Sequence, residues 1–436
     1  MAEFETLPSV DEMLRRFALL PPSAHDSHAA ALATEFRRRN AQWHCAEHIF
    51  AAPSPQPGGL LSGVPLAHKD VFDTGLHVPG LGRPRTTGQI RPAATVLQRL
   101  KAQGALHLGA LTMAEFACGA TAESLHSPRL LNPHDAQAAV GGSSSGSAVA
   151  VAAGLCAASL GTDTAGSVRM PAATCALIGL KPTRGLLPSD GVAPLAPTLD
   201  TVGVIARSAA DAARIFTAML PTRPDTPEPP PRWRIGNAMR TTHEDAGVAA
   251  ALTLFEKSLH ASVQIQNRPA PDLGRLNRLA QIVLHAEAAI SLEAAVRTEL
   301  DTLAPATRAI ALPGWAMPNG WYRHALHQIP AQSHAFMTTC LDGIDLLLTP
   351  CLPKGVPDRE TVTTSCPGFD PRALAAMHRH HAYINYLGLP ALVMPVGKDG
   401  RGRPVSVQIV GAPGSESLLL AFAHEFALPF HHFVHP

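Results

Sequence analysis

Two glycine- and serine-rich turns constrain this chain of 436 residues more than any other feature. The first is Gly141-Gly-Ser-Ser-Ser-Gly-Ser147 and the second is Gly161-Thr-Asp-Thr-Ala-Gly-Ser-Val-Arg169, which sets Ser143 and Ser167 24 residues apart. Between them, Ala148–Ala153 followed by Gly154 reads as a helix of small side chains, with serine as the N-cap and glycine as the stop. Small side chains let such a helix pack closely inside a core. Leu155–Leu160 reads as a short buried strand leading into the second turn. Residues 60–205 as a whole alternate strand-like and helix-like runs, which indicates an α/β architecture.

A serine nucleophile needs a base and a set of backbone N–H donors for the developing oxyanion. The turns offer the donors. Upstream, Leu60-Leu61 and Gly63-Val-Pro-Leu-Ala67 read as a buried strand ending at Lys69. A free lysine has a pKa near 10.4 and is a poor base at neutral pH. Burial disfavours the charged ammonium and lowers that value by up to a few units. Lys69, Ser143 and Ser167 are therefore candidates for a proton relay that needs no histidine.

These segments, with Met113-Ala-Glu-Phe116, Asn132-Pro133, Gly179-Leu-Lys-Pro-Thr183 and Leu199-Asp200, resemble the amidase signature family of serine hydrolases. The resemblance resumes at Asp345–Pro350, Gly388–Ala391 and Pro404–Gln408, and is absent over about residues 222–340. It implies Lys69 as base, Ser143 as a bridging serine in a cis peptide, and Ser167 as nucleophile. It places the oxyanion amides on Thr164, Ala165 and Gly166, with Asp163, Arg169, Gly142 and Ser144 in support. Met113 and Cys118 are the candidate substrate contacts. Neutral Lys69 would take a proton from Ser143 as Ser143 takes one from Ser167, and the relay would reverse to protonate the leaving amine. Ser167 would carry an acyl group that water removes. Ala165 stands where glycine is usual, and alanine tolerates φ > 0 poorly. His68 stands where an apolar residue is common. Asp163 and Arg169 read as a structural ion pair.

Other motifs compete less well. Gly142-Ser-Ser-Ser-Gly146 fits the G-x-S-x-G nucleophile elbow with Ser144 at its centre, but that elbow needs a preceding strand, and Pro133–Gln137 reads as a loop. His424-Glu425 lacks the second histidine of H-E-x-x-H, and neither a Walker motif nor a well-placed G-x-G-x-x-G occurs. Of the 22 histidines, His378, His380 and His381 cluster, as do His431, His432 and His435. They lack ordered metal-site spacing and read as surface or helix-face residues rather than metal ligands; the resemblance implies no metal and no organic cofactor.

The net charge of +1 makes no electrostatic case for nucleic acid or an anionic membrane as partner. Seven cysteines, an odd number without C-x-x-C, read as reduced core residues of a cytoplasmic protein. The acidic N-terminus lacks a signal-peptide pattern, and no apolar run is long enough to span a membrane.

The resemblance implies one α/β/α domain over residues 1–436, built on a large mixed twisted sheet. Core motifs lie at 60–220 and 343–415, and a variable, mostly helical region at about 222–340 carries the substrate pocket. Residues 8–50 read as helices, and the proline-rich stretch Pro221–Pro231 as a link within the fold. Trp315, Met317, Trp321 and Tyr322 read as core or as the wall of an acyl pocket. The expected activity is hydrolysis of a small-molecule carboxamide, with a homodimer implied by resemblance alone. The alternatives are a carbamate or urea-type (allophanate-like) hydrolase, a glutaminase-type component of an amidotransferase, or a silent scaffold.

Overall fold

In the computed structural model, residues 7–51, 54–84, 88–121, 130–222, 228–239, 245–259 and 263–433 are described. Among them, eleven strands form one mixed sheet. In chain order these are β1 (Ala46–Ile49), β2 (Pro65–Lys69), β3 (Leu106–Leu111), β4 (Ala158–Asp163), β5 (Ile178–Lys181) and β6 (Thr201–Ala206), then β7 (Trp233–Asn237), β8 (Val263–Asn267), β9 (Leu346–Pro350), β10 (Ala391–Lys398) and β11 (Pro404–Val410). Their spatial order is β1-β3-β2-β4-β6-β5-β10-β11-β9-β7-β8. β2 lies parallel between β3 and β4, each successive pair from β4 through β6, β5, β10 and β11 to β9 is antiparallel, and β9, β7 and β8 are parallel.

Successive residues of the central strands go to opposite layers, as strand geometry requires. Leu66, Val204 and Leu392 join a cluster with Ile215, Phe216 and Phe422 from helices Ala209–Met219 and Glu416–Phe426. Their neighbours Ala67, Ile205 and Val393 join a second cluster with helices Ser145–Ala152 and Arg169–Thr174. The sheet is thus covered on both faces, which explains why its central strands are buried at every position. The expected α/β layering on a mixed sheet is what forms.

Helix Ser145–Ala152 is buried at all of its residues, with Ser144 at its N-cap position and left-handed Gly154 just beyond its end. An added Cβ at Gly146 would meet Thr112 O at 2.5 Å and Cys45 O at 2.6 Å. Only glycine lets this turn of helix lie on the backbone beside β1 and β3. That contact fixes where the preceding serine turn sits.

Four features depart from the sequence reading. Residues 8–50 are not all helical: helices Val10–Ala18 and His25–Trp43 end at left-handed His44, and Ala46–Ile49 pairs with β3. The strand expected at 155–160 begins at Ala158, because Gly154-Leu-Cys are spent on the turn out of the helix. Strands β7 and β8 interrupt the mostly helical region, and β8 is half-exposed at the edge of the sheet. Trp315 and Trp321, on helices Pro305–Ala316 and Asn319–Phe336, are 45% and 60% exposed, so neither is core. Trp315 is instead covered by Arg297, whose guanidinium stands 4.6 Å from the ring centroid.

The connector after Met219 leads from its helix into β7 of the same sheet, although residues 223–227 and His435 lie outside the described residues. No single helix among the described residues is long and apolar enough to cross a membrane.

Gly146→Ala is expected to destabilise the protein by about 1–3 kcal/mol, because the new methyl meets backbone that cannot move away. Gly320→Ala, at a position with nothing within 4 Å of the added carbon, is expected to leave stability unchanged or slightly raised. Thermal melting of both variants tests the contrast.

Candidate active site

Lys69 is the last residue of β2 and only 1% exposed. It shares its face with Ala67, so its stem runs into the layer that holds helix Ser145–Ala152. Its Nζ stands 2.8 Å from Ser143 Oγ and 2.8 Å from Thr162 Oγ1, both neutral hydroxyls. Burial pushes the ammonium down to about 7, against the opposing pull of the Asp200 and Asp163 carboxylates. Lys69 is therefore divided between charged and neutral forms near pH 7.

The first serine turn is held by backbone contacts. Gly141 is left-handed (φ 77°), and the Gly142–Ser143 peptide is cis, as the resemblance implies. Ser143 O accepts from Ala114 N–H at 3.1 Å, and Ser144 N–H donates to Ser167 O at 3.3 Å. The last bond ties the two turns together. Ser144 Oγ turns inward to Thr162 O at 3.4 Å, and residues 130–140 contain no strand, so the nucleophile-elbow reading has no support here.

The second turn follows β4 and is shaped by one buried carboxylate. Asp163 Oδ1 accepts from Gly166 N–H at 2.8 Å, while Oδ2 accepts from Val168 and Arg169 N–H at 3.2 and 3.3 Å. The Arg169 guanidinium grips the same carboxylate through Nε at 3.0 Å and Nη2 at 2.9 Å. Burial alone would push Asp163 up, but Arg169 holds it well below the usual carboxylate range. The pair is fully buried. Arg169 goes on to Gln408 Oε1 at 2.7 Å and Asn385 Oδ1 at 2.6 Å. Asn385 Nδ2 returns to Asp163 O at 2.7 Å.

The left-handed residue of this turn is Gly166 (φ 114°), and Ala165 is not among the positive-φ residues, so alanine fits there without strain. Ser167, the next residue, is 5% exposed. Thr164 donates its hydroxyl to Asp200 Oδ1 at 2.6 Å, and Asp200 Oδ2 accepts from Leu195 and Ala196 N–H at 2.9 and 3.0 Å. Burial pushes Asp200 up to about 6.

Two histidine expectations change. His380 and His381 are buried rather than on the surface, and an added Cβ at Gly166 would meet His381 Cβ at 2.6 Å. His381 Nδ1 donates to Met377 O at 3.0 Å, and His378 Nδ1 donates to Ala165 O at 3.2 Å. These residues wall the turn. His431 and His432 are exposed as expected. His68 lies in the core, where its Nδ1 accepts from Leu160 N–H at 3.0 Å. Met113 and Cys118 are both buried in the cluster that contains Leu66 and Leu160. Burial, followed by Glu115, pushes the Cys118 thiol up.

Sequence reasoning assigns no role to Thr162, Asp200, Asn385 or Gln408. Thr162, Asp200 and Gln408 lie in the family-like segments Gly161–Arg169, Leu199-Asp200 and Pro404–Gln408, which is the available signal for three of them.

The sequence pattern of the Amidase family matches residues 11–270 and 301–420. The chain is 33% identical over 456 residues to a glutamyl-tRNA(Gln) amidotransferase subunit of Chloroflexus aggregans, covering 94% of this chain and 88% of the relative. It is 31% identical over 380 residues to AtzE, a 1-carboxybiuret hydrolase subunit of Pseudomonas sp., covering 83% and 82%. A crystal structure of an amidase superposes with a TM-score of 0.84 at 26% identity, covering 96% of this chain and 98% of the other. This chain belongs to the amidase family. It is a hydrolase of amide carbon–nitrogen bonds.

Arg169→Leu leaves Asp163 buried without its cation and is expected to cost about 3–5 kcal/mol. Urea unfolding followed by circular dichroism measures the loss.

Proposed function

We propose that Ser167 is the nucleophile of this hydrolase, Ser143 the proton relay and Lys69 the base. The observation that carries the reading is the 2.8 Å contact between Lys69 Nζ and Ser143 Oγ in buried surroundings. It is supported by the bond from Ser144 N–H to Ser167 O, which holds the serine turns side by side. Ser167 Oγ attacks the amide carbonyl and passes its proton to Ser143, whose own proton goes to neutral Lys69. The oxyanion is received by the backbone N–H groups of Thr164, Ala165 and Gly166 and the adjoining Ser167, with that of Gly166 shared with Asp163 Oδ1. The protonated Lys69 returns its proton through Ser143 to the leaving nitrogen. Water then removes the acyl group by the same relay. Met113 and Cys118 back the substrate pocket.

The substrate is a small carboxamide, turned over by this chain without a partner protein and as a homodimer. Six buried free cysteines suit a reducing compartment such as the cytoplasm. A second reading is favoured by both relatives' being named as subunits: this chain would then act within an assembly, on a glutamine-like or carbamate-like substrate.

Ammonia or amine release by the purified chain decides between them. The panel would hold aliphatic and aryl amides, anilides, carbamates, allophanate and glutamine. Turnover of one class, lost in Ser167→Ala, supports the free-standing enzyme; silence throughout supports the assembly. Lys69→Met and Ser167→Ala are each expected to lower kcat/KM by a factor on the order of 10³ or more.

A pH profile tests the base directly. Lys69 is held down to about 7, so the neutral, active form is lost as pH falls below that value. kcat/KM should rise about tenfold per pH unit below 7 and level off above it. A rate unchanged between pH 5 and 8 would rule out a lysine base.

A further inference from the structure

β2 has a second face. Lys69 and Ala67 point into one layer, whereas His68 and Leu66 point into the other. There His68 lines a cavity of about 300 Å³ together with Leu66, Leu97, Leu100, Ala105 and His107. The volume reaches the lower end of the range of small-molecule sites, and apolar cavities of half that size take up aromatic guests. The walls are mostly aliphatic, and the two imidazoles stand together with ring centroids 4.7 Å apart. Phe72 packs edge-on to His68 and Phe50 edge-on to His107, which holds both rings in place.

The hydrogen bonds of these rings define their tautomers. His68 Nδ1 accepts from Leu160 N–H, so its proton is on Nε2. His107 Nε2 lies 3.1 Å from Gly109 O, which can only accept, so its proton is on Nε2 and Nδ1 is left as an acceptor. Burial keeps both imidazoles neutral at pH 7. His68 Nε2–H and His107 Nδ1 have no partner among the described residues. The cavity wall thus includes one donor, on buried His68, and one acceptor, on half-buried His107, side by side in mostly aliphatic surroundings.

We propose that this cavity is a second small-molecule site, separate from the Ser167 centre, that takes a neutral primary carboxamide on an aromatic or branched aliphatic body. The amide oxygen accepts from His68 Nε2–H and the amide N–H donates to His107 Nδ1. A carboxylate has no proton for His107 and would lose its hydration against the mostly aliphatic wall, where the cation of the lining, Lys101, stays exposed to solvent. The site does not depend on which serine is the nucleophile. It does sit one residue from Lys69, on the reverse of the same strand.

Benzamide and benzoate are paired probes for the site. Ser167→Ala protein carrying ¹⁵N-labelled histidine would be titrated with each and followed by the imidazole nitrogen resonances. Benzamide is expected to move the His68 Nε2 and His107 Nδ1 signals together and saturably, and benzoate to leave them in place. His107→Phe removes the acceptor and Ala93→Leu fills part of the cavity from a half-buried position in its lining. Each should weaken benzamide at the His68 signal about tenfold, the value of one hydrogen bond or one displaced group. If His107→Phe does not fold, Ala93→Leu decides alone. Histidine signals unmoved by benzamide, or moved equally by benzoate, would overturn the site. So would unchanged affinity in the variant tested.

Discussion

The buried Asp163–Arg169 pair is the interaction on which the geometry of the reacting centre depends. A charge pair out of reach of water is stable only if its remaining hydrogen-bonding capacity is met. Here the requirement is met by the turn itself, since three backbone N–H groups between Gly166 and Arg169 point at one carboxylate. It is also met from far along the chain by Asn385 and Gln408. The same bonds that neutralise the pair therefore set the curvature of the loop that carries Ser167. Its dihedral angles follow from electrostatics more than from local propensity.

Lys69 has a counterpart that shows why a displaced pKa is not by itself a site. Lys181, at the end of β5, is equally buried and is also pushed down to about 7 by burial. Its Nζ donates to Pro182 O at 2.7 Å, a carbonyl that offers no proton to move. Lys69 instead meets two hydroxyls, one of which lies on the turn tied to Ser167. Equal desolvation has produced a structural amine in one place and a candidate base in the other, and the partner atom makes the difference.

The layered fold and the Lys69, Ser143 and Ser167 segments were legible because their signals are local: buried apolar runs, small-residue helices and glycine turns at fixed spacing. What could not be read is what tertiary packing decides. His380 and His381 look like solvent-facing residues beside Arg379, yet they are buried where the chain docks behind Gly166. Trp315 and Trp321 look like core or pocket, yet the helices that carry them turn these rings outward. Strands β1 and β8 are short, partly exposed edge segments: the adjacent Glu47 and His48 break the alternation of β1, and the alternation of β8 runs for only five residues among helices. Asp200 gains its importance through groups far away in sequence, Thr164, 36 residues earlier, and the Lys69 ammonium.

The docking of His381 against Gly166 has a consequence for how the enzyme comes into being. Lys69, Ser143 and Ser167 all lie in the first half of the chain, and β4 can pair with β6 soon after both are made. The groups that brace the Ser167 turn from behind, His381, Asn385 and Gln408, are synthesised late. A nascent chain on the ribosome thus carries all three candidate side chains before the loop that holds Ser167 is braced. The loop that holds Ser167 gains its full set of hydrogen bonds only when Asn385 and Gln408 have joined it, so the geometry of the candidate centre is set by the last part of the chain to be made.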